Sequence, residues 1–526
     1  MGAVNIGASP TKFMSAGDSI VSRLYLGGTL VASPAEGFVS SLFSNGEQGA
    51  WYDPSDLSTM FQDASGTTPV YMPGQGQPDC RIGLQLDKRF GLVLGPELII
   101  NGDSEAGAAV APSEGLIRFA SKERSSDFKN SGAFSTKLTS TVGSGTHYWQ
   151  LWLVPAGKSV FVQGSAYVPA GATAGQSLRI VDQHDGSIII DIVGASDTGR
   201  WVPFQFRRAA KATAWHLSIG NNLAADWNGG AIYIDDLSVR ELPGNHRWQG
   251  TAISRPVLSA RYNLLTGTEA LATQSVNVAA ASYILRFYGA GSVTLSGAAA
   301  GTYSAGSHSI TCTAGSLTLT VSGGVAQADL RAANDGVDLP PYQRVVDAST
   351  YDTAGFPLYR KPDGVDDWMQ TSAVDFSGTD KVTIVAAVRK TGTTRGMILE
   401  LPLASGAFLL QSDEVAGTVQ FQSGGSSISA VSVAGQVSPV TRMYQCAGDI
   451  ANDTATIRVN GVPSGLSSTD QGTGAFGSGV IYFDRRNGSS LPWSGRDYGT
   501  IIVGRLLTGP ETAAVEKLLR QKSKAY

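Results

Sequence analysis

The stretch from Gly229 to Leu242, Gly-Gly-Ala-Ile-Tyr-Ile-Asp-Asp-Leu-Ser-Val-Arg-Glu-Leu, places the tightest constraint on how this chain can fold. Ile232 and Ile234 alternate with Tyr233 and Asp235, the period-two pattern of a strand with one buried face. Strict alternation then puts a second carboxylate, Asp236, on the apolar face. An unpaired buried carboxylate is costly, so Asp236 needs a bulge, a hydrogen-bond cluster or a cation. The alternation resumes out of step at Leu237 and Val239, as a bulge requires. Pro243, Gly244 and Asn245 then break the pattern, which marks this strand as the last of a domain.

At 526 residues the chain exceeds what one core holds, and about three to four domains are expected. With 64 glycines and only 16% charged residues, turns are many and long charged helices few. Strand-length runs of Val, Ser, Thr, Ala and Gly, separated by turn dipeptides, dominate the middle and end. The expected fold class is all-β: tandem β-sandwich or jelly-roll domains, with a short mixed N-terminal region and a C-terminal helix. A formal net charge of −4 with no basic cluster argues against nucleic-acid binding. Cys80, Cys312 and Cys446 lie far apart, make neither a metal spacing nor a disulfide framework, and fit synthesis in a reducing cytosol. No apolar run approaches the roughly 20 residues that span a bilayer, so membrane insertion is not expected. Met1 to Asn5 lacks the basic-then-apolar pattern of a signal peptide. An extracellular-looking β architecture made without an export signal fits a virus particle, which assembles inside the cell and is released by lysis.

Residues 1–95 are the least regular. Ser33 and Pro34 read as the cap and first residue of a short helix carrying Phe38, Val39 and Leu42 on one face. A further helical turn, capped near Asp53, follows Trp51. The stretch from Gly46 to Val70, with Gly91 to Gly95, resembles a segment recurrent in tailed-phage structural proteins. That resemblance implies a virion-attachment region; the residues alone fit equally an irregular lid packed on its own β domain.

Residues 96–242 begin with Leu98-Ile99-Ile100-Asn101-Gly102-Asp103-Ser104-Glu105 and end in the Tyr-Ile-Asp-Asp-Leu-Ser-Val strand. The two ends together resemble the jelly-roll carbohydrate-binding modules that accompany many xylanases and glucanases. The resemblance implies a structural calcium joining the ends, with Glu105, Asp235 and Asp236 at the matching positions; the alternative is carboxylates meeting backbone amides. Within this module, Val202, Phe204 and Phe206 alternate inward, leaving Gln205 and Arg207 on the other face; Trp215, Leu217 and Ile219 leave His216 and Ser218 outward. Related modules hold glycan on one open sheet face, between an aromatic ring and polar side chains. The candidates are Trp152, Tyr167, Arg179, Gln205, Arg207 and His216. Taken singly, each also reads as an ordinary surface residue, and only an aromatic flanked by several polar groups on one face makes a site.

Residues 243–265 read as a linker in which Trp248 is placed to dock on a neighbouring domain, and its Arg-Pro-x-Leu to Asn-Leu-Leu portion again resembles phage connectors. Residues 266–345 hold a compact series of alternating strands that resembles a small phage β-sandwich, with Phe-Tyr-Gly-Ala-Gly-Ser-Val-Thr-Leu-Ser-Gly as its signature. In residues 346–526, Asp363-Gly364-Val365-Asp366-Asp367, then Val459-Asn460-Gly461, then Ser494-Gly495-Arg496-Asp497-Tyr498 resemble in order a concanavalin A-like, laminin-G-type jelly roll. Asp363, Asp366 and Asp367 read as turn formers or as calcium ligands. Pro510 to Lys522 reads as an amphipathic helix with Ala514, Val515, Leu518 and Leu519 on one face.

Concanavalin A-like folds include glucanases, which carry acidic residues paired along a strand. No Glu-x-Asp-x-x-Glu run occurs, Glu400 and Glu414 are isolated, and Asp380, Asp449 and Asp453 fall near turns. Nucleophile elbows, His-x-x-x-His pairs and phosphate-cradling loops are also missing. The expectation is therefore a non-enzymatic structural component of a phage particle, located in the virion as a fibre, spike or capsid decoration. It would meet other virion proteins through its N-terminal region and host surface glycan through its sandwiches. The setting implies a homo-oligomer. The alternatives are protein–protein mortar without glycan binding, and a polysaccharide depolymerase.

Overall fold

The strand Lys381–Lys390 reads Lys-Val-Thr-Ile-Val-Ala-Ala-Val-Arg-Lys, an unbroken run where an alternating one would serve a half-exposed sheet. The reason is that both faces are covered. Val382, Ile384, Ala386 and Val388 enter a large sandwich core. Val385 and Ala387 enter a second core with Val39 and Leu42 beside the helix Pro34–Ser41, and Val515 and Leu519 of the helix Gly509–Ser523. Both helices thus use the faces their periodicity marked.

The structure, a computed structural model, describes residues 15–16, 19–20, 24–26, 29–32, 34–71, 80–90, 93–107, 115–117, 119–140, 145–154, 158–170, 178–182, 188–192, 198–208, 214–223, 230–259, 263–278, 280–333, 342–345, 358–412 and 417–523. Its architecture is mostly antiparallel β-sheet in sandwich-like arrangements, with a C-terminal helix. The module beginning at residue 96 pairs two five-stranded sheets. One runs in the order Phe119–Ser125, Ser135–Ser140, Ala231–Glu241, Val160–Tyr167, Trp201–Arg208. The other runs Ile188–Ile192, Leu178–Asp182, Trp215–Leu223, Gly145–Val154, Gly115–Ile117. Between them lie Leu138, Val162, Ile180, Phe206, Ile219, Ile232 and Ile234, among others. The third module is one five-stranded sheet in which Ala281–Gly297 is a single long strand with a register shift between Phe287 and Ser292.

The last module corrects the linear domain division. Its two nine-stranded sheets recruit strands from three separate stretches of chain. Gly49–Tyr52 pairs with Gly495–Val503, Met60–Phe61 and Leu84–Gln85 extend one sheet, and Cys80–Arg81 extends the other. Arg247–Trp248 inserts between Leu84–Gln85 and Met369–Asp375, and Val257–Ser259 between Cys80–Arg81 and Tyr359–Lys361. So the strands within residues 49–87 are not a separate domain, and those within 246–259 are part of the sheets and not a free connector. Both stretches contribute strands to the body formed by these two nine-stranded sheets, with the other two modules inserted into it. Two local expectations also change. The short helical turn is Leu57–Thr59 and its cap is Asp56, whose side chain accepts from Ser58 N. Asp53 is buried and paired with Lys88 and Lys522, which hold its carboxyl well below the usual range against the opposing effect of burial.

The three stretches are tied together by a charged cluster inside the body. Arg247 donates to Gln85 Oε1 (2.6 Å from Nη2, 3.0 Å from Nε) and to Asp497 Oδ2 (3.0 Å), and its guanidinium lies 4.4 Å from the Tyr52 ring centroid. Arg360 donates to the same Asp497 Oδ2 at 3.0 Å and to both oxygens of Asp484. Burial lowers Arg247 to about 10, with the nearby Arg360 charge adding to the effect. Asp497 is held below its ordinary value because the two guanidinium groups outweigh its burial. Asp497→Ala leaves two buried cations sharing one carboxylate, and should destabilise the body by about 3–5 kcal/mol in denaturant unfolding.

Where the chain leaves the first inserted module, His246 is buried; its Nδ1 accepts from Asp87 N (2.9 Å), and Nε2–H donates to Leu242 O (3.2 Å). That tautomer is neutral, and burial lowers its pKa from 6.5 to about 4. The unfolded chain therefore takes up a proton that the folded chain refuses. His246 contributes stability that is fully present above pH 6.5 and lost as pH falls towards about 4. The full shift corresponds to roughly 3 kcal/mol. The stability difference between wild type and His246→Gln, measured by urea unfolding across that range, should shrink with falling pH and be constant above it.

Candidate functional site

Two adjacent strands of the first inserted module, Val160–Tyr167 and Trp201–Arg208, present a row of paired residues on the face away from the core. The pairs are Phe161 with Arg207, Gln163 with Gln205, Ser165 with Pro203, and Tyr167 with Trp201. The alternate residues Val160, Val162, Ala166, Phe204 and Phe206 are in the core, which is why this sequence alternates here. The row differs along its length. At one end Phe161 and Arg207 are covered by the body of two nine-stranded sheets. The Arg207 guanidinium lies 4.3 Å from the Phe61 ring centroid and 4.7 Å from that of Phe161, and its Nη1 donates to Gly66 O at 2.8 Å. At the other end Tyr167 stacks on Phe128 (4.4 Å between centroids, 24° between planes), and Trp201, half-buried, lies 5.4 Å from Tyr167. Tyr233 meets both Phe128 and Tyr167 edge-on.

Between these ends is an open depression of about 480 Å³ lined by Gln163, Gly164, Ser165, Pro203, Phe204, Gln205 and Asp236. Gln163, Pro203 and Gln205 are exposed. The bulge that shapes it is the one the Asp-Asp sequence demands. Gln163 pairs with Ser238 and Ser165 with Asp235, so Gly164 alone faces both Asp236 and Leu237. Asp236 adopts a left-handed φ of 52°, which turns its side chain out of the core and into the depression. A Cβ on Gly164 would come within 2.8 Å of the Phe204 ring and 3.2 Å of Leu237. The sequence expectation is thereby reversed: Asp236 is half-exposed, and Asp235 is the fully buried carboxylate.

Asp235 is satisfied by amides. Its Oδ2 accepts from Asn130 N (2.8 Å) and Ser131 N (3.2 Å), and its Oδ1 from Asp236 N (2.8 Å). Burial still pushes it above the ordinary carboxylate value. Asp236 accepts from Asn130 Nδ2 (2.8 Å) and Ser131 Oγ (2.6 Å), and Glu105 Oε1 from Ala133 N (2.7 Å) and Phe134 N (2.8 Å). The three carboxylates thus grip one loop, residues 128–134, which carries the Phe128 ring to Tyr167. Their oxygens do not gather into a cation cage. Among the described residues, the group of three carboxylates with ligand atoms within 4.8 Å of one another is Asp363, Asp366 and Asp367 instead.

Of the six residues expected to bind glycan, the structure brings Tyr167, Gln205 and Arg207 onto one face, with Gln205 in the depression, Tyr167 largely covered by Phe128, and Arg207 spent on domain packing. Trp152, Arg179 and His216 belong to the other sheet, where Trp152 pairs with Leu217, Arg179 with Gly220 and His216 with Leu153. Their side chains lie outside the described residues. The six are therefore divided between the two sheets. Sequence reasoning missed Gln163, Ser165 and Trp201. The period-two spacing of Trp201, Pro203 and Gln205 was the available signal for Trp201.

No protein-family model and no curated protein sequence matches the chain. Solved structures do. The CBM40 of Ruminococcus gnavus IT-sialidase bound to α2,6-sialyllactose is 17% identical at a TM-score of 0.22, over 26% of this chain and 83% of that one. The same module bound to α2,3-sialyllactose is 16% identical at 0.24, over 30% of this chain and 95% of that one. The binding domain of botulinum neurotoxin serotype G is 12% identical at 0.26, over 31% of this chain and 42% of that one.

Glu105→Ala removes the acceptor for the Ala133 and Phe134 amides and should cost about 1–3 kcal/mol. Glu105→Gln keeps an oxygen acceptor and should cost less than half as much, as read from the unfolding midpoints of the two variants.

Proposed function

We propose that the chain is a non-enzymatic adhesive component of a bacteriophage particle, and that the depression at Gln163, Gln205 and Asp236 holds a neutral glycan of the host surface. The observation that carries this reading is the meeting of polar side chains with an aromatic platform on one sheet face. Two glutamine amides, which both donate and accept, the Ser165 hydroxyl and the Asp236 carboxylate line the depression, and Trp201 stands two positions from Pro203 along the same strand face. Hydroxyl groups suit amides and a carboxylate acceptor, while the C–H face of a sugar suits the indole ring. Among the described residues the lining includes no cation, and Asp236 repels anionic sugars, so neutral hydroxyl-rich glycans are favoured. Most glycosidases use two flanking carboxyl groups, and among the described residues Asp236 is the one carboxylate in the lining, which supports binding without cleavage.

The virion setting rests on the resemblance of the Gly46–Val70, Arg255–Leu265 and 266–345 stretches to phage structural proteins. Copies arrayed on a particle would convert weak binding at each depression into strong adhesion. A test uses the full chain on immobilised host polysaccharide. Gln163→Ala with Gln205→Ala, both exposed, should weaken retention about tenfold or more at unchanged melting temperature, since hydroxyl-binding sites discriminate strongly when partners are lost. Unchanged retention would refute the site, and shortened glycan products after incubation would refute the non-enzymatic reading. Loss of particle assembly with normal adsorption would assign the sandwich to protein–protein mortar.

A further inference from the structure

Between the strands Tyr359–Lys361 and Met369–Asp375, the chain turns through Pro362-Asp363-Gly364-Val365-Asp366-Asp367-Trp368. Asp363 Oδ1 accepts from the amides of Val365 (2.8 Å), Asp366 (3.2 Å) and Asp367 (3.3 Å), which accounts for Asp363 as a turn former. Turn formation does not account for the other two carboxylates. Ligand oxygens of all three lie within 4.8 Å of one another, where like charges repel.

Asp367 is the decisive residue. It is 4% exposed, and while Oδ2 accepts from Asp363 N (3.0 Å), Oδ1 is buried and receives no hydrogen bond. The nearby cation does not supply one. Arg81 Nη1 lies 3.9 Å from Oδ1, but its two hydrogens go to Ile253 O (2.8 Å) and Arg255 O (3.0 Å). A buried carboxylate oxygen without a donor, beside two further carboxylates, is an unfavourable arrangement that a hard cation would relieve.

We propose that Asp363, Asp366 and Asp367 form a binding site for a divalent cation of the calcium type, with Asp367 Oδ1 as its buried ligand. Oxygen-only donors from one short loop suit calcium, and water completes its shell from the exposed side. The site lies where the chain crosses itself. Ser254 Oγ donates to Asp366 Oδ2 (2.9 Å), Trp368 N to Ser254 O (3.1 Å), and Gln249 Nε2 to Trp368 O (3.2 Å). A bound ion would therefore fasten the loop to the 246–259 stretch.

Terbium luminescence tests this, because Trp368 adjoins the site and can sensitise a bound lanthanide. The full chain is stripped of divalent ions by chelation and dialysis, then titrated with Tb³⁺ under tryptophan excitation, and with Ca²⁺ by calorimetry. Saturable emission that Ca²⁺ displaces is expected, largely lost in Trp368→Phe while calorimetric Ca²⁺ affinity is unchanged. Asp367→Asn should weaken Ca²⁺ about tenfold or more, the scale on which even supporting groups of a metal site act. Asp366→Asn, at a half-exposed position, should weaken it too and serves if Asp367→Asn does not fold. Glu105→Gln should bind Ca²⁺ as wild type does. No Ca²⁺ binding by the wild-type chain, or unaltered affinity in Asp366→Asn, would overturn the proposal, as would loss of binding in Glu105→Gln alone.

Discussion

The body of this protein depends on a buried balance of two guanidinium and two carboxylate groups. Arg247, Arg360, Asp484 and Asp497 are almost wholly removed from water, and their charges are paired with one another. They come from two different stretches of chain, and Gln85 and Tyr52 supply the contacts from a third. Such a cluster gains little net free energy over a well-packed apolar core, because desolvation offsets the attraction. What it does impose is a condition. The sheets bury these charges without a large penalty only when all three stretches are in register. That ties closure of the two-sheet body to the completion of both crossings.

The crossings determine how the first inserted module is held. It leaves the body after Gln85 and returns at Arg247, both of which are strand residues in one sheet. Phe61, Leu84, Leu86, Phe161 and Leu242 form a shared apolar contact at that junction, and Trp248 packs against it. The same contact covers the Arg207 end of the sheet face. A face that would otherwise be open along its whole length is thereby reduced to a depression bounded by a domain on one side and by the Phe128–Tyr167–Trp201 rings on the other.

The chemistry of the depression turns on a single bulge. In a regular strand Asp236 would point into the core beside Ile234. One extra residue opposite Gly164 turns it outward, and leaves Asp235 under the 128–134 loop, where backbone amides meet its charge. The loop closed by those hydrogen bonds brings Phe128 onto Tyr167. One local irregularity thus places an acceptor in the depression and supports its aromatic edge.

Much of this was legible along the chain. Alternation located the strands from Trp201 to Arg208 and from Ala231 to Glu241, and the out-of-step Leu237 required the bulge. Helical periodicity found the buried faces of Val39 and Leu42, and of Val515 and Leu519. These are properties of neighbouring residues, and short-range geometry is written in short-range pattern. Which sheet a strand joins is not. Trp152, Arg179 and His216 alternate as Gln205 and Arg207 do, yet they lie in another sheet, because strand pairing is a long-range contact that leaves no mark on local spacing. Residues 49–87 and 246–259 looked irregular because their strands are short and their partners lie far away in the sequence. Arg207 reads as a surface residue until a second domain covers it. The sequence by itself determined the β character, the strand faces and the need for a bulge. Only the tertiary structure decided which faces meet, which carboxylate is buried, and that three distant stretches close one body, because each depends on contacts between residues remote along the chain.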